Sequence, residues 1–471
     1  MTSLESVSEA LRAFMAMIEL RKSCPFLYGR SGKRVEPGRL KARRTIPGGP
    51  WRYVLWAAVF LMLPAPGTMA DTEYMAAEEN ISEFLPSVES LDYLLPARIP
   101  GEPQPVEPDK RQWALLPEIG YGPDTGVMAG VKFSHMNILG SGTYFDVNGL
   151  YGLEGRQTFA LNVGSPHLAH GRLILLLRGR FVVDLKRQFF GLGMNDLGPD
   201  PASMHAIQDG AGGITVGWRP FKHIAFDFSL GARNVQIFCR SNRDSSTPCT
   251  KGEFPDLPGT DGGWVNYLGL SVVWDNSDSI VRPTRGWRFI VKAIHTNNLL
   301  PGPYEFTRFV GDASYLTAFL EKRLILGMRI NGEWVTGPDG KIPFWELSEM
   351  GGSDSLRGFD SHRFVGTARF LVNGEVRYAL TEFDFFHLWH IRIDGLLFGD
   401  GGRVFIDEKD LSSEFGIPPD NLVIESQTGG FQYSYGCGAR IALSHVLVAR
   451  IDVGFSEENT GLVFLSFGQT F

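Results

Sequence analysis

The chain has 471 residues, a formal net charge of −7, and a composition that is 43% hydrophobic, 21% charged and 12% aromatic. Its 56 glycines and 34 phenylalanines suit many strands joined by tight turns, and they exclude a disordered chain and a bundle of hydrophobic helices. A chain of this length normally contains two or three domains, although a β-barrel can be this long as a single domain.

The segment Val54–Leu63 is the candidate membrane-targeting helix of the sequence. Its run of about ten apolar residues is too short to span a bilayer, which needs roughly 20. Basic residues precede the run, prolines follow it, and Thr68-Met69-Ala70 comes next. This order predicts a secretory signal peptide that is cleaved after Ala70, with a short buried core helix as the alternative.

Cleavage at that site changes the charge of the protein. Residues 1–70 contain 11 Lys+Arg and 4 Asp+Glu, so the remaining chain has 34 against 48 and a net charge of −14. An exported protein this acidic would repel the phosphate backbone of nucleic acid. Nucleic acid is therefore excluded as a partner.

Residues 71–112 are acidic at first and then rich in proline. The pattern predicts a short helix over 74–95, interrupted near Pro86, followed by an extended linker. About forty residues are too few for a folded domain of ordinary size. The expected organisation is a leader with a signal peptide (1–70), a short periplasmic helix and linker (71–112) and a barrel (113–471).

From Trp113 onward the chain repeats runs of about ten residues that alternate loosely in polarity, which is the pattern of a transmembrane barrel. Gly, Pro, Asn or Asp residues bound these runs. Sixteen strands are predicted, at 113–121, 126–136, 142–153, 156–165, 171–184, 205–219, 222–239, 263–275, 285–297, 304–319, 322–336, 366–380, 390–404, 429–442, 446–456 and 461–471.

The predicted fold is an all-β, 16-stranded antiparallel transmembrane β-barrel, because only a closed sheet satisfies every backbone group of a β structure within lipid. In the last segment one face carries Leu465, Phe467 and Phe471, and the other carries small or polar residues. A soluble exported β-sandwich or propeller is the alternative. The terminal aromatic residue and strands of ten or more residues favour the barrel.

The connections predict the orientation of the barrel. With a periplasmic N-terminus, each even-to-odd connection is a periplasmic turn, and these are short around Pro220–Phe221, Leu320–Lys322 and Ser444–His445. The long connections then lie outside the cell, at 240–262, 337–365 and 405–428.

Cys239 and Cys249 flank a polar, turn-rich stretch in one of these long connections. Export to an oxidising compartment permits a disulfide between them. Cys437 has no evident partner, and Cys24 belongs to the leader. None of the cysteines has metal-ligand spacing, so neither a metal nor a cofactor is expected.

Two motifs in the second half of the chain go beyond a generic barrel. Leu356-Arg357-Gly358-Phe359, in the long connection between predicted strands 11 and 12, resembles the V/I-R-G-F/Y motif of the Omp85 (bacterial surface antigen D15) family. Phe398-Gly399-Asp400-Gly401-Gly402, on predicted strand 13, resembles the F-x-D-x-G motif of the same family. Phe467 and Phe471 resemble the aromatic signal of its closing strand, which the barrel assembly machinery recognises.

The resemblance implies that the connection between strands 11 and 12 is an extracellular loop that folds back into the lumen. There Arg357 would contact Asp400 on the inner wall. The chemistry suits the task, because guanidinium is a planar donor of several hydrogen bonds and a carboxylate accepts two of them. Gly358 is expected to allow a sharp turn at the loop tip, and Gly399, Gly401 and Gly402 to leave space for the incoming loop.

Weaker matches extend the resemblance over about residues 113–471. Trp274-Asp275-Asn276-Ser277-Asp278 with Pro283 and Gly286 resembles the D-x-R-D…P-x-x-G turn between strands 8 and 9, and Ser277 replaces the usual arginine. Phe189–Asn195 resembles an F-Y-G-x-G-N element, and Asn373–Arg377 resembles the N-x-E-x-R opening of strand 12.

The resemblance implies a bacterial outer-membrane protein that inserts or translocates polypeptide or lipid cargo, with outer-membrane lipid and the assembly machinery as its partners. Family members with such roles carry periplasmic POTRA domains, for which residues 71–112 leave no room. A passive channel or structural barrel is the first alternative, and an outer-membrane hydrolase the second. We expect no enzyme, because no nucleophile elbow, zinc-binding H-E-x-x-H or phosphate-binding loop is present in the sequence.

Overall fold

The computed structural model describes residues 113–135, 138, 143–169, 172–194, 200–221, 223–239, 247–279, 282–297, 303–338, 340–385, 389–406, 430–443 and 447–467. The predicted leader (1–70), the predicted helix and linker (71–112) and Phe471 lie outside the described residues. Within the described ranges, no helix is long and apolar enough to cross a membrane.

Sixteen antiparallel strands close into a barrel, as the sequence predicts. They are β1 (Trp113–Gly122), β2 (Gly126–His135), β3 (Tyr144–Gly152), β4 (Gln157–Leu168), β5 (Leu173–Phe189), β6 (Ser203–Phe221), β7 (Ile224–Phe238), β8 (Gly263–Asp275), β9 (Gly286–Thr296), β10 (Phe306–Phe319), β11 (Leu324–Thr336), β14 (Ala368–Phe385), β15 (Trp389–Phe405), β16 (Gln432–Leu443), β17 (Leu447–Phe455) and β18 (Leu462–Phe467).

Two further strands, β12 (Ser348–Met350) and β13 (Phe364–Gly366), form a small separate hairpin between β11 and β14. Predicted strands 12 to 16 are therefore β14 to β18. The short helix α1 (Thr250–Glu253) lies between β7 and β8. We call the end of the barrel that carries the β11–β14 connection the loop rim, and the opposite end, which carries the β10–β11 connection, the turn rim.

Alternating side chains explain why these segments form a membrane barrel. On β10, Arg308, Val310 and Asp312 point inward and are buried, whereas Phe309 and Tyr315 point outward and are exposed. The same alternation occurs on the other strands, so the outer surface is apolar and the inner surface is largely polar. Outward-facing aromatic residues pair near both rims, for example Trp287 with Tyr315 and Phe309 with Trp334. Such paired aromatic bands are typical of the two membrane interfaces.

Strands β5 and β14 extend further than predicted, to Phe189 and Phe385 instead of 184 and 380. Each contains a register irregularity near the predicted end, at Asp184/Arg187 and at Ala379/Thr381. A bulge interrupts the alternation of polarity without ending the strand, which is why the sequence pattern stops early.

A hydrophobic core fills part of the lumen beside the loop rim. We call it the apolar cap, and it includes Phe189, Phe254, Leu257, Tyr304, Phe306, Phe344 and Trp345. Phe254 and Leu257 come from the β7–β8 connection, and Phe344 and Trp345 from the β11–β14 connection. Because a packed apolar core has few voids larger than a water molecule, the apolar cap closes this part of the lumen.

The barrel closes between β1 and β18. β1 pairs with β2 along its whole length, from Trp113↔His135 to Gly122↔Gly126. Its other edge pairs with the described part of β18 through the single register pair Tyr121↔Leu465. We call this junction the seam. The seam joins the first and the last described strands of the barrel.

Candidate functional site: the lumen loop and the closing strands

The connection between β11 and β14, residues 337–367, crosses the lumen, and we call it the lumen loop. Its first arm contains the 3₁₀ turn Phe344–Glu346, and its tip lies between β12 and β13. At the tip Gly351 and Gly352 have φ angles of +122° and +86°, which favour glycine. The Gly352 amide donates a hydrogen bond to the Phe359 carbonyl at 3.0 Å, so the tip is a closed turn.

Arg357 at the tip is fully buried and bound to the inner wall of the barrel. Its Nε donates to Oδ2 of Asp400 at 2.8 Å, and its Nη2 donates to Oδ1 at 2.7 Å. Its Nη1 donates to Glu375 of β14. The guanidinium carbon lies 3.6 Å from the centre of the Phe398 ring, in cation–π geometry. The structure thus brings together Arg357, Asp400 and Phe398 of the two predicted motifs.

Asp400 and Glu375 are themselves fixed by neighbours on the wall. Asn373 Nδ2 donates both to Asp400 at 2.9 Å and to the Ser355 carbonyl of the loop at 2.8 Å. Glu375 also pairs with Arg377 and Arg440, at 2.7 and 3.3 Å. Removing one partner from such a buried network costs about 3–5 kcal/mol, because it leaves an uncompensated charge.

The loop approaches the wall closely at three glycines. A Cβ at Gly358 would lie 2.5 Å from the Phe455 carbonyl oxygen, and one at Gly402 would lie 2.5 Å from Met350 Sδ. A Cβ at Gly454 of β17 would lie 1.7 Å from the Arg357 carbonyl oxygen.

The expectation that Gly399 and Gly401 also leave space for the loop is wrong. Nothing lies within 4 Å of a Cβ at Gly399, and a Cβ at Gly401 would meet the ring of Tyr433. Both residues point outward, because side chains alternate along β15 and Asp400 points inward.

The first arm of the lumen loop is bound to the opposite wall. Glu346, fully buried, accepts a hydrogen bond from Arg308 of β10 at 2.7 Å and another from Arg233 of β7. The Phe344 amide donates to the Pro258 carbonyl at 2.8 Å, and Trp345 Nε1 donates to the Gly259 carbonyl at 3.1 Å. The loop therefore spans the lumen, with its arm on β7 and β10 and its tip on β14, β15 and β17.

The region Phe189–Met194, which resembles the F-Y-G-x-G-N element, also contacts the lumen loop. Gly193 N donates to the Val365 carbonyl at 2.7 Å, and Val404 N donates to Met194 Sδ at 3.3 Å. Phe189 packs edge-on against Phe344. The sequence places this element only by resemblance, whereas the structure shows it packed beside β12 and β13. Asn195 lies outside the described residues.

The turn between β8 and β9 forms its own hydrogen-bond network at the turn rim. Asp278 accepts from the Thr284 amide at 2.7 Å, from the Arg285 amide at 3.1 Å and from Lys322 Nζ at 3.0 Å. Partial burial raises the pKa of Asp278, but these hydrogen bonds outweigh burial and lower the pKa to about 2.

Ser277 takes part in the same turn where the resembled motif has arginine. Its hydroxyl donates to Asp275 Oδ1 at 2.6 Å, and Gly286 has a φ of +125°. Pro283 is buried. The turn is therefore closed without the usual arginine at position 277, and Lys322 supplies the cation that binds Asp278.

The remaining predicted residues lie away from the lumen loop tip. A disulfide joins Cys239 and Cys249, with 5.4 Å between their Cα atoms, and Cys249 directly precedes α1. Phe467 ends the described part of β18 and pairs with Ala449. No group of His, Cys, Asp or Glu in the described part of the chain could hold a metal ion.

Sequence reasoning missed several residues that hold the lumen loop, namely Glu346, Glu375 as a partner of Arg357, Gly454 and the pair Arg363–Glu458. Each contact joins segments that are far apart in the chain, and none follows a local pattern. The one available signal was Glu375 in the N-x-E-x-R match, which indicated a strand but not its partner.

Comparisons with known proteins give a matching family model and solved structures with a similar fold. A family model described as the Omp85 superfamily domain matches residues 137–471. Among solved structures, BamA from Haemophilus ducreyi lacking POTRA domains 1–3 matches with a TM-score of 0.52 and 14% identity, over 76% of this chain and 70% of that one.

CdiB from Escherichia coli matches with a TM-score of 0.52 and 12% identity, over 76% of this chain and 62% of that one. CdiB from Acinetobacter baumannii has a TM-score of 0.49 and 12% identity, over 75% and 59%. This chain therefore spans less than two thirds of both CdiB structures, and at these identities the likeness shows the fold alone. A search of curated proteins gives no significant match.

Proposed function

The chain belongs to the Omp85 superfamily, and from that premise we propose that it inserts or translocates polypeptide or lipid substrates at the bacterial outer membrane, using the barrel and its seam. The observation that carries the proposal is the lumen loop, which a buried ion-pair network fixes to the closing side of the barrel, next to the seam. The cargo is proposed only as a class, polypeptide or lipid.

The geometry supports a moving seam better than a permanent pore. The apolar cap and the lumen loop occupy the lumen beside the loop rim, so the described residues leave a solute no wide axial path through that part of the barrel. In the proposed orientation the loop rim is extracellular, and the N-terminus and the turn rim are periplasmic. The proposal also treats residues 1–70 as a leader and residues 71–112 as a periplasmic segment.

A seam lock tests the proposal. Tyr121→Cys and Leu465→Cys, in a Cys437→Ser background, place two thiols on directly opposed positions of β1 and β18. The probe is an unfolded eight-stranded outer-membrane barrel, diluted from urea into vesicles that contain the protein, and its folding is followed by gel mobility without boiling. We expect the reduced protein to accelerate folding of the probe and the oxidised protein to lose that effect.

One control protein and two contrary outcomes complete the design. The Cys437→Ser parent, with and without reductant, reports any effect of reducing Cys239–Cys249. Equal acceleration by the locked and unlocked proteins would contradict insertion through the seam. No acceleration, together with a large steady conductance in planar bilayers, would favour a passive channel.

A further inference from the structure

A second ion pair joins the lumen loop to the closing strands. Arg363, at the end of the loop tip, donates from Nε to Glu458 Oε2 at 2.8 Å and from Nη2 to Oε1 at 2.7 Å. Arg363 is fully buried and Glu458 nearly so. Glu458 lies in the connection between β17 and β18. This bidentate pair is of the strong, charge-assisted kind.

The same part of the loop holds that connection through backbone groups. Ser456 Oγ donates to the Gly358 carbonyl at 2.7 Å, and the Glu458 and Asn459 amides donate to Ser456 Oγ in turn. One β17 side chain is also held, because Arg450 Nη2 donates to Asp354 at 2.8 Å. Hydrogen bonds and an ion pair thus join the β17–β18 connection to the lumen loop.

The β17–β18 connection lies directly before β18, the strand that closes the barrel at the seam. There β18 pairs with β1, and Leu465 lies opposite Tyr121. The described part of β18 is positioned by its pairing with β17 and by the connection that leads into it. The contacts between the lumen loop and the β17–β18 connection therefore also help to hold β18 at the seam.

Charges at the seam increase the importance of Arg363. Burial raises the pKa of Asp360 in the loop tip, and the negative charges of Asp124 and Glu458 raise it further. Asp124 lies in the β1–β2 turn, on the other side of the seam from Glu458. Asp124, Asp360 and Glu458 therefore interact electrostatically, and Arg363 offsets the charge of Glu458.

We propose that Arg363 and Glu458 form a latch that keeps the seam closed while the loop tip is seated, so that opening of the seam requires movement of the lumen loop. This inference rests on the proposed function in one respect, namely that the seam opens. Arg363 and Glu458 are positioning residues here, since they act through β18 and do not contact a cargo.

Hydrogen–deuterium exchange of the folded protein in lipid nanodiscs measures the latch without any cargo. Exchange of the β1 and β18 amides reports opening of the seam, and exchange of β7 and β8 reports the rest of the barrel. Arg363→Met and Glu458→Gln should each speed exchange at β1 and β18 by about tenfold or more, as loss of a charged hydrogen-bond pair implies, and leave β7 and β8 unchanged.

The matched control is Asp184→Asn, which removes the partner of Arg156 at 3.3 Å in another part-buried pair at the loop rim, away from the seam. It should not change exchange at β1 or β18. The charge-swapped double variant Arg363→Glu/Glu458→Arg should restore slow exchange there, which a variant that merely folds poorly would not do.

Two outcomes overturn the latch. One is unchanged exchange at β1 and β18 in both single variants. The other is faster exchange in Arg363→Met with slower exchange in Glu458→Gln, because repulsion among carboxylates would then control the seam without a tether. Since no cargo is present, either result leaves the proposed transport role to be decided separately by the seam lock.

Discussion

Arg357 and Asp400 lie 43 residues apart in the chain and meet through two parallel hydrogen bonds of 2.8 and 2.7 Å inside the barrel. The pair joins the tip of the lumen loop to β15, and Glu375 of β14 binds the third guanidinium nitrogen. Because the opposite arm of the loop is held by Glu346, the loop has two independent anchors on opposite walls.

The double anchorage gives a specific expectation for Arg357→Ala. The substitution leaves Asp400 buried without its cation, so the barrel should lose about 3–5 kcal/mol of stability and unfold at a lower temperature on gels run without boiling. The apolar cap still holds the loop arm. Single-channel recordings should therefore show more frequent brief openings rather than a steady wide pore.

Arg357→Lys sharpens this test, because lysine keeps the charge but cannot form the two parallel hydrogen bonds. We expect the melting temperature and the frequency of channel openings of Arg357→Lys to lie between those of the wild type and Arg357→Ala. Unchanged melting and unchanged conductance in Arg357→Ala would remove the tip anchor from the mechanism.

The close approach at Gly454 predicts a backbone-driven effect. An alanine Cβ there would lie 1.7 Å from the Arg357 carbonyl oxygen, so Gly454→Ala should unseat the loop tip and destabilise the barrel by about 1–3 kcal/mol or more. Gly399→Ala is the matched control, since nothing lies within 4 Å of its Cβ. Trypsin cleavage at Arg363 measures seating, and equal cleavage rates in the two variants would contradict the expectation.

The fold could be predicted because the signals that specify a membrane barrel are local. Alternating polarity and turn residues place β8 at Gly263–Asp275, as predicted, and most other strands within three residues. The pattern fails beyond the bulges of β5 and β14, where one extra residue reverses the alternation while pairing continues.

The candidate site was only partly predictable. Arg357 and Asp400 carry a recognisable motif, so the sequence indicated their roles. Glu346, Arg363 and Glu458 have the sequence appearance of solvated loop charges, and only the closed barrel brings them to buried partners. Contacts of this kind depend on how the loop crosses the lumen, which no local pattern encodes.

The disulfide Cys239–Cys249 predicts how firmly the apolar cap is held. It closes the start of the β7–β8 connection, which supplies Phe254 and Leu257 to the cap. Replacing both cysteines with alanine removes a constraint on the unfolded chain, so the unfolded state gains conformational entropy. We expect this to destabilise the cap by about 2–4 kcal/mol. Trypsin cleavage after Lys251 should accelerate, whereas Cys437→Ser should have no effect. Equal cleavage in both would show that packing alone holds the connection.

Asp278 predicts a pH dependence at the turn rim. Its folded pKa of about 2 lies below the ordinary aspartate pKa of 3.8, so its ionised form is stabilised by folding. That stability is fully present above about pH 4 and is lost as the pH falls toward 2. Melting temperatures of the wild type and Asp278→Asn should therefore differ most above pH 4 and converge near pH 2. Lys322→Met removes only the exposed cation. It should change the pH dependence of the melting temperature less than Asp278→Asn does, because the hydrogen bonds from the Thr284 and Arg285 amides remain. A constant difference between the wild type and Asp278→Asn across this range would show that the carboxylate charge contributes nothing to the turn.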